Sequence, residues 1–282
     1  MNNILWSKGL EDKSEYQLAH TAHQSSMYEI IRELNNCKNH IIWIRNNAID
    51  LDAIALLIDK VENPKKIVIT DGDMSTGDYK IQTIRKLVDS DKITKMYFQN
   101  YNPIDPLLQH PKISYFPIGL DLHTEETKIG NNPYCKYELL LKMRNIPKTI
   151  NKALIDFKAT PRSDFRLSIL KEAQNNDNIT ILNERMKICE LYKYYSKYKF
   201  IICAEGGGLD THRHYEAWLA GCCVLTHLTP LENMYDEFAT IYIDDFSTIT
   251  EEDLNEYWDA TADKRTTENV IPKFKYSYWY NK

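Results

Sequence analysis

Short runs of β-branched and aromatic residues alternate along this chain with helical patterns, and that alternation constrains the fold more than any other feature. The first half carries HIIWIRNN (40–47), KKIVITDGD (65–73), KMYFQNY (95–101) and ISYFPIG (113–119), each ending in polar or turn residues. Between them, LDAIALLIDKV (51–61) and YKIQTIRKLVDS (79–90) place apolar residues three and four apart, as a helix with one buried face requires. The second half repeats the scheme with KALIDFKAT (152–160), NITILNE (178–184), KFIICAEGGG (199–208), CCVLTHLTP (222–230) and TIYIDDF (240–246). Strands alternating with crossover helices build parallel sheets. Two successive Rossmann-like α/β domains are therefore expected within the 282 residues.

The boundary is expected where Pro147 interrupts YELLLKMRNIPKTINK, giving domains at 1–146 and 147–250. Residues 251–282 hold a helical pattern and the tail KFKYSYWYNK, whose tyrosines and tryptophan are expected to dock on a domain.

Lys and Arg number 35 against 40 Asp and Glu, a net charge of -5, so no global positive field draws the chain onto nucleic acid. The six cysteines form no CxxC pair and no metal-ligand spacing, which fits free thiols in a reducing compartment. No segment offers the roughly 20 apolar residues that span a bilayer, and charges interrupt the N-terminal stretch. A cytoplasmic location without a membrane span is the expectation.

The chemistry concentrates in FIICAEGGGLDTHRHYEAWLAGCCVLTH, residues 200–227. An apolar strand runs into Glu205 and the glycines Gly206, Gly207 and Gly208, then Asp210 and Thr211 as a capping pair, then a helix that stops at Gly221. Glycines let backbone approach a bulky anion, and the N–H groups and dipole of the first helical turn favour phosphate. Arg213 adds a forked cation. Tyr215, Trp218, Leu219 and Cys222 are expected on the core face, leaving His212, Arg213 and Glu216 on the other, with Arg213 on phosphate and Glu216 on ribose hydroxyls. The competing reading is an ordinary glycine loop with an exposed Arg213–Glu216 pair worth about 0.2–0.5 kcal/mol.

Other signatures are missing. There is no GxxxxGK[ST], and the strand after the glycine helix ends in Thr226 and His227 where a dinucleotide fold would carry an acidic residue. His212 and His214, two apart on a helix, point about 200° away from each other, a poor arrangement for chelating one metal. His20 and His23 are better spaced but lack an acidic third ligand.

Phe200, Glu205, Gly206, Gly208, Asp210, Thr211, Arg213, Glu216, Ala217 and Gly221 resemble the signature of exostosin-type (GT47-type) glycosyltransferases of GT-B fold. IDFKATPRSDFRLSIL (155–170), a strand followed by Arg162 and Arg166, is similar to a second feature of that family. Ala204 stands where proline is common, and Cys222 and Cys223 replace an apolar-proline turn. The resemblance covers roughly residues 150–245, and the chain is similar in kind to compact soluble members encoded by large DNA viruses and some bacteria, the location being the host cytoplasm for a viral member.

The resemblance implies two domains facing across a cleft, with an N-terminal acceptor domain and a C-terminal nucleotide-sugar domain. It implies an inverting transfer from a nucleotide diphosphate donor, commonly a UDP-sugar, to a hydroxyl of a glycan acceptor, with no metal or other cofactor. Arg162, Arg166, Glu205, Gly206, Gly207, Gly208, Thr211, His212, Arg213 and Glu216 then form the donor site. Inversion needs a base, and Asp73, with Asp71 second, stands at the carboxyl end of the strand KKIVIT. TDGDMSTGD also reads as a turn capped by its own carboxylates, and Arg45, Asn46, Gln99, Asn100, Asp121 and His123 are strand-end groups open to either role. The alternative function is a catalytically silent nucleotide- or glycan-binding module of the same fold. A sugar-phosphate epimerase or phosphorylase is a third.

Overall fold

The computed structural model describes residues 4–6, 35, 41–46, 48–122, 135–159, 164–184 and 186–280. The chain divides into two compact units, one within Ser7–Ile118 and one combining Met1–Trp6 with Gly119–Asn281.

In the first unit, β1 (Ile41–Arg45), β2 (Lys65–Thr70), β3 (Ile93–Phe98) and β4 (Ile113–Tyr115) form a sheet in the order β1-β2-β3-β4, with every pair parallel. Ile42, Ile44, Ile67, Ile69, Met96 and Phe98 turn one way. They meet Leu51, Ile54 and Leu57 of α1 (Ala48–Leu57) and Ile84 and Leu87 of α2 (Ile81–Asp89). Trp43, Val68 and Tyr97, aligned across three strands, turn the other way and are also buried. Burial on both faces explains why these strands read as continuous apolar runs rather than alternating ones.

The second unit holds β5 (Ile150–Ile155), β6 (Ile179–Ile181), β7 (Tyr198–Ile202), β8 (Cys223–Thr226) and β9 (Thr240–Tyr242), all parallel, in the order β6-β5-β7-β8-β9. After β5 the chain steps outward to β6, then returns past β5 to continue on its other side. That reversal makes β5 and β7 a topological switch point, and helices leaving adjacent strands toward opposite faces open a crevice there. The first sheet has no such reversal among its described strands.

The two-sheet α/β architecture expected from the alternation is present. The division between units falls at Ile118–Gly119 rather than at 146–147. The physical reason is α3 (Cys135–Arg144): its Lys136 pairs with Glu216, and its Arg144 donates to the Trp218 carbonyl at 2.9 Å, so the helix belongs to the second unit. Pro147 lies beyond the end of α3, within that unit.

Residues beyond 250 form no separate body either. From the helix Glu251–Ala260, Asn255 accepts from Asn151 of β5 at 3.0 Å. The aromatic tail is packed as expected: Phe274, Tyr276 and Trp279 are buried, and Leu5 N–H donates to the Phe274 carbonyl at 2.8 Å. No helix among the described residues is long and apolar enough to cross a membrane.

Candidate functional site

The switch point brings two strand ends together. Asp156 follows β5, and Cys203, Ala204 and Glu205 follow β7. Arg166, on α4 (Asp164–Ala173), reaches across: its Nε donates to the Glu205 carbonyl at 2.9 Å, and its guanidinium lies 5.4 Å from the Phe157 ring centre. A Cβ on Gly206 would come within 2.8 Å of Arg166 Nη2, so the first glycine makes room for this guanidinium. Gly206 N–H donates to the Gly208 carbonyl at 2.9 Å and closes the loop as a turn, with Gly207 exposed between them.

The glycine loop leads into α6 (His212–Leu219), which Gly221 terminates at φ 86° as expected. Its N-terminus differs from the expected capping pair. Asp210 is buried and accepts from the hydroxyls of Tyr215, at 2.8 Å, and Tyr235, at 2.9 Å. Thr211 occupies the N-cap position without capping, because its Oγ1 lies 2.9 Å from His214 Nδ1. Aromatic hydroxyls thus draw Asp210 away, and the first-turn N–H groups keep the partial positive charge that a cap would have offset.

Arg213 is committed on one side. Its Nε forms an ion pair with Asp156, which is 2% exposed, and the hydroxyl of Tyr195, at the end of α5 (Ile188–Tyr195), donates to the other carboxylate oxygen at 2.8 Å. Burial, the largest single influence, would lower the Arg213 pKa, but Asp156, Tyr195, Cys203 and Glu216 together outweigh it, and the guanidinium is held above its ordinary value. Arg166 is shifted down, first by burial and then by the charge of Arg213. Two guanidinium groups close enough to repel each other at a strand-end crevice are an arrangement that an incoming anion relieves. Glu205, partly buried there, has its carboxyl raised by burial, with Arg166 and His227 pulling the other way.

Glu216 departs from its expected place on an open helix face. It is buried and paired with Lys136 at 2.7 Å, the two side chains being 9% and 2% exposed, and Lys136 also donates to the Asp121 carbonyl at 2.8 Å. Every residue from His214 to Ala220 is buried, so α6 has no open stripe. Its 3.6-residue pattern identified one buried face, while α3 covers the side the pattern left polar. His212 Nδ1 lies 2.8 Å from the Gly119 carbonyl. Arg162, His20, His23 and His123 lie outside the described residues.

Beside the glycine loop is a pocket of about 110 Å³, lined by Phe165, Glu205, Leu209, His214, His227 and Tyr235 among others. The His214 ring stacks on Tyr235 at 4.6 Å between centroids and 26° between planes. Burial pushes its pKa down to about 3, so the imidazole is neutral. Its Nε2 is buried with no hydrogen-bond partner among the described residues, a state costing about 1–3 kcal/mol. A second pocket of about 320 Å³, lined by Asp236, Lys264, Lys273 and other polar residues, borders no strand end. Among the described residues no three His, Cys, Asp or Glu side chains converge as metal ligands.

In the first unit, three amides meet at one carbonyl. Gly72 O accepts from Asn46 Nδ2 at 2.9 Å, Gln99 Nε2 at 2.8 Å and Asn100 Nδ2 at 3.0 Å. Asn46 also donates to the Met74 carbonyl at 2.8 Å and accepts from the Tyr79 hydroxyl at 2.5 Å. These strand-end amides therefore shape the loop after β2. A Cβ on Gly72 would meet the Asn46 carbonyl oxygen at 2.6 Å.

Asp71 sits in the left-handed region at φ 66°, its N–H donating to Gln99 Oε1 at 3.0 Å and its carboxylate 3.3 Å from Arg45 Nε. Asp73 is exposed and has no hydrogen bond or ion pair among the described residues. Of the two carboxylates, Asp71 is occupied by the loop and Asp73 is open.

Asp156, Tyr195, Lys136 and His214 carry much of this geometry and were not among the expected site residues. Asp156 had a signal, an acidic residue immediately after an apolar strand. The partnership of Lys136 with Glu216 had none, being set by how α3 folds back.

No protein-family model and no curated protein sequence matches the chain. Among solved structures, HepE of Anabaena in complex with UDP is similar at 11% identity, covering 88% of this chain and 78% of its own, with a TM-score of 0.48. The UDP-forming α,α-trehalose-phosphate synthase of Burkholderia vietnamiensis is similar at 8% identity over 85% and 70% of the two chains, with a TM-score of 0.47. The UDP-GlcNAc 2-epimerase of Methanocaldococcus jannaschii is similar at 14% over 88% and 77%, with a TM-score of 0.39. All three TM-scores lie below 0.5.

Proposed function

We propose that the second unit binds the nucleoside diphosphate of a sugar donor, a UDP-sugar, and that the chain is an inverting exostosin-type glycosyltransferase acting on a hydroxyl of a glycan. The observation that carries this reading is the uncapped N-terminus of α6 at the β5–β7 switch point, with Arg166 and Arg213 beside it. A helix start left without its side-chain cap, next to two guanidinium groups, suits a diphosphate.

In this reading the acceptor oxygen attacks the anomeric carbon as the bond from that carbon to the diphosphate oxygen breaks, and the acceptor proton passes to a base. Negative charge grows on the departing diphosphate, where Arg166, the free side of Arg213 and the N–H groups of α6 stabilise it. Such charge-assisted bonds contribute about 1.5–3 kcal/mol each. The glycine loop, Thr211 and His212 frame the diphosphate, and Glu205 borders the adjoining pocket. The base is assigned to Asp73, the open carboxylate after β2. Glu216 and Lys136 anchor the helix that presents the N–H groups, in place of the ribose contact expected of Glu216.

The test is a thermal-shift panel of UDP, GDP, ADP and their sugars on the chain and on Arg166→Ala. A ligand at 100 times its dissociation constant adds about 2.7 kcal/mol of stability. The reading expects a UDP-dependent rise in the parent that Arg166→Ala loses. A panel without any rise refutes it.

A further inference from the structure

The pocket beside the glycine loop is lined by His214, whose Nε2 neither the fold nor the proposed transfer uses. His214 is 1% exposed, and its ring is fixed between the stack on Tyr235 and Thr211. Its Nδ1 faces the Thr211 hydroxyl at 2.9 Å and the Thr211 backbone carbonyl at 3.3 Å. A carbonyl can only accept, which assigns the ring proton to Nδ1 and leaves Nε2 as a bare acceptor. Nε2 is buried and unpartnered among the described residues, and His214 lines the pocket. The walls from Phe165, Leu209, Leu228 and Pro230 are apolar, and about 110 Å³ suits one flat ring better than a fused pair.

Building on the nucleotide reading, we infer that His214 is a specificity-determining residue whose Nε2 accepts from the ring N–H of a uracil base. Uracil carries a hydrogen on its N3. Cytosine, of the same size, has a bare acceptor at N3, so it would set two lone pairs against each other and leave both unpaired. The imidazole stays neutral at physiological pH, because burial pushes its pKa down to about 3. A protonated ring would have offered a donor at Nε2 and reversed the preference.

The experiment is calorimetric titration of the full chain with UDP, CDP and GDP, repeated on His214→Phe. UDP is expected to bind at least about tenfold more tightly than CDP, the scale of one unsatisfied buried pair. GDP is expected to be weaker than UDP, and the UDP-over-CDP gap is expected to fall below about threefold in His214→Phe. Equal binding of UDP and CDP by the parent overturns the role of His214 while leaving the nucleotide site standing, and so does a gap that survives in the variant. Tighter GDP than UDP overturns the single-ring assignment. Failure of all three to bind overturns the nucleotide reading together with this one. The parent comparison needs no substitution, so the inference is decided even if His214→Phe does not fold.

Discussion

Replacing Arg213 by alanine is expected to damage the fold as well as the chemistry. Asp156 is 2% exposed, and its partners among the described residues are Arg213 and the Tyr195 hydroxyl. Removing one member of a buried ion pair leaves an uncompensated charge and costs about 3–5 kcal/mol. The Arg213 side chain keeps 24% exposure, so water can reach the vacated space and the lower end applies, about 3 kcal/mol. The assay is urea unfolding, read as a fall in midpoint at constant slope. The double variant Asp156→Ala/Arg213→Ala should lose less than the sum of the single losses, with a coupling of about 2 kcal/mol. An Arg213→Ala protein that unfolds at the parent midpoint while its donor KM rises would refute the pairing and return Arg213 to a ligand-only role.

Gly206→Ala and Gly72→Ala should separate a binding defect from a folding defect. At Gly206 the clash is with the movable end of Arg166, so stability holds while donor affinity falls; at Gly72 it is with the Asn46 backbone, so unfolding should come at lower denaturant. Asp73→Asn should lower kcat about 10²–10⁴-fold and leave donor affinity unchanged, and undiminished transfer would remove the base assignment. If the parent itself binds donor yet transfers nothing, the silent binding module is the better account. The neutral state of His214 makes a pH prediction. Its folded pKa, about 3, lies below the unfolded value of 6.5, so the unfolded chain takes up a proton that the native one refuses, and stability falls as pH drops through that window. Between pH 7 and 5 this loss amounts to about 2 kcal/mol, which His214→Phe should abolish; parallel profiles for the two proteins would contradict a buried neutral ring.

The two sheets were legible because strands buried on both faces leave unbroken apolar runs, as IIWIR and KFIICA show. The strand order was not. Nothing in β6 announces that it pairs beside β5 and leaves β7 to take the opposite side, although that step creates the crevice. The division between units was misplaced because Pro147 marks a local break, whereas membership is set by long-range pairs such as Lys136 with Glu216. The glycine loop, Arg166 and Arg213 were singled out from local chemistry. Their roles shifted because local chemistry cannot see the partners: Asp210 goes to two tyrosines, and Gly206 yields space to Arg166.

A crystal of the chain soaked with UDP tests most directly whether a diphosphate seats against the start of α6. Phosphate oxygens are expected within hydrogen-bond reach of the His212 and Arg213 backbone N–H groups and of the Arg166 guanidinium. UDP bound elsewhere, or that helix start bare at saturating nucleotide, would contradict this expectation.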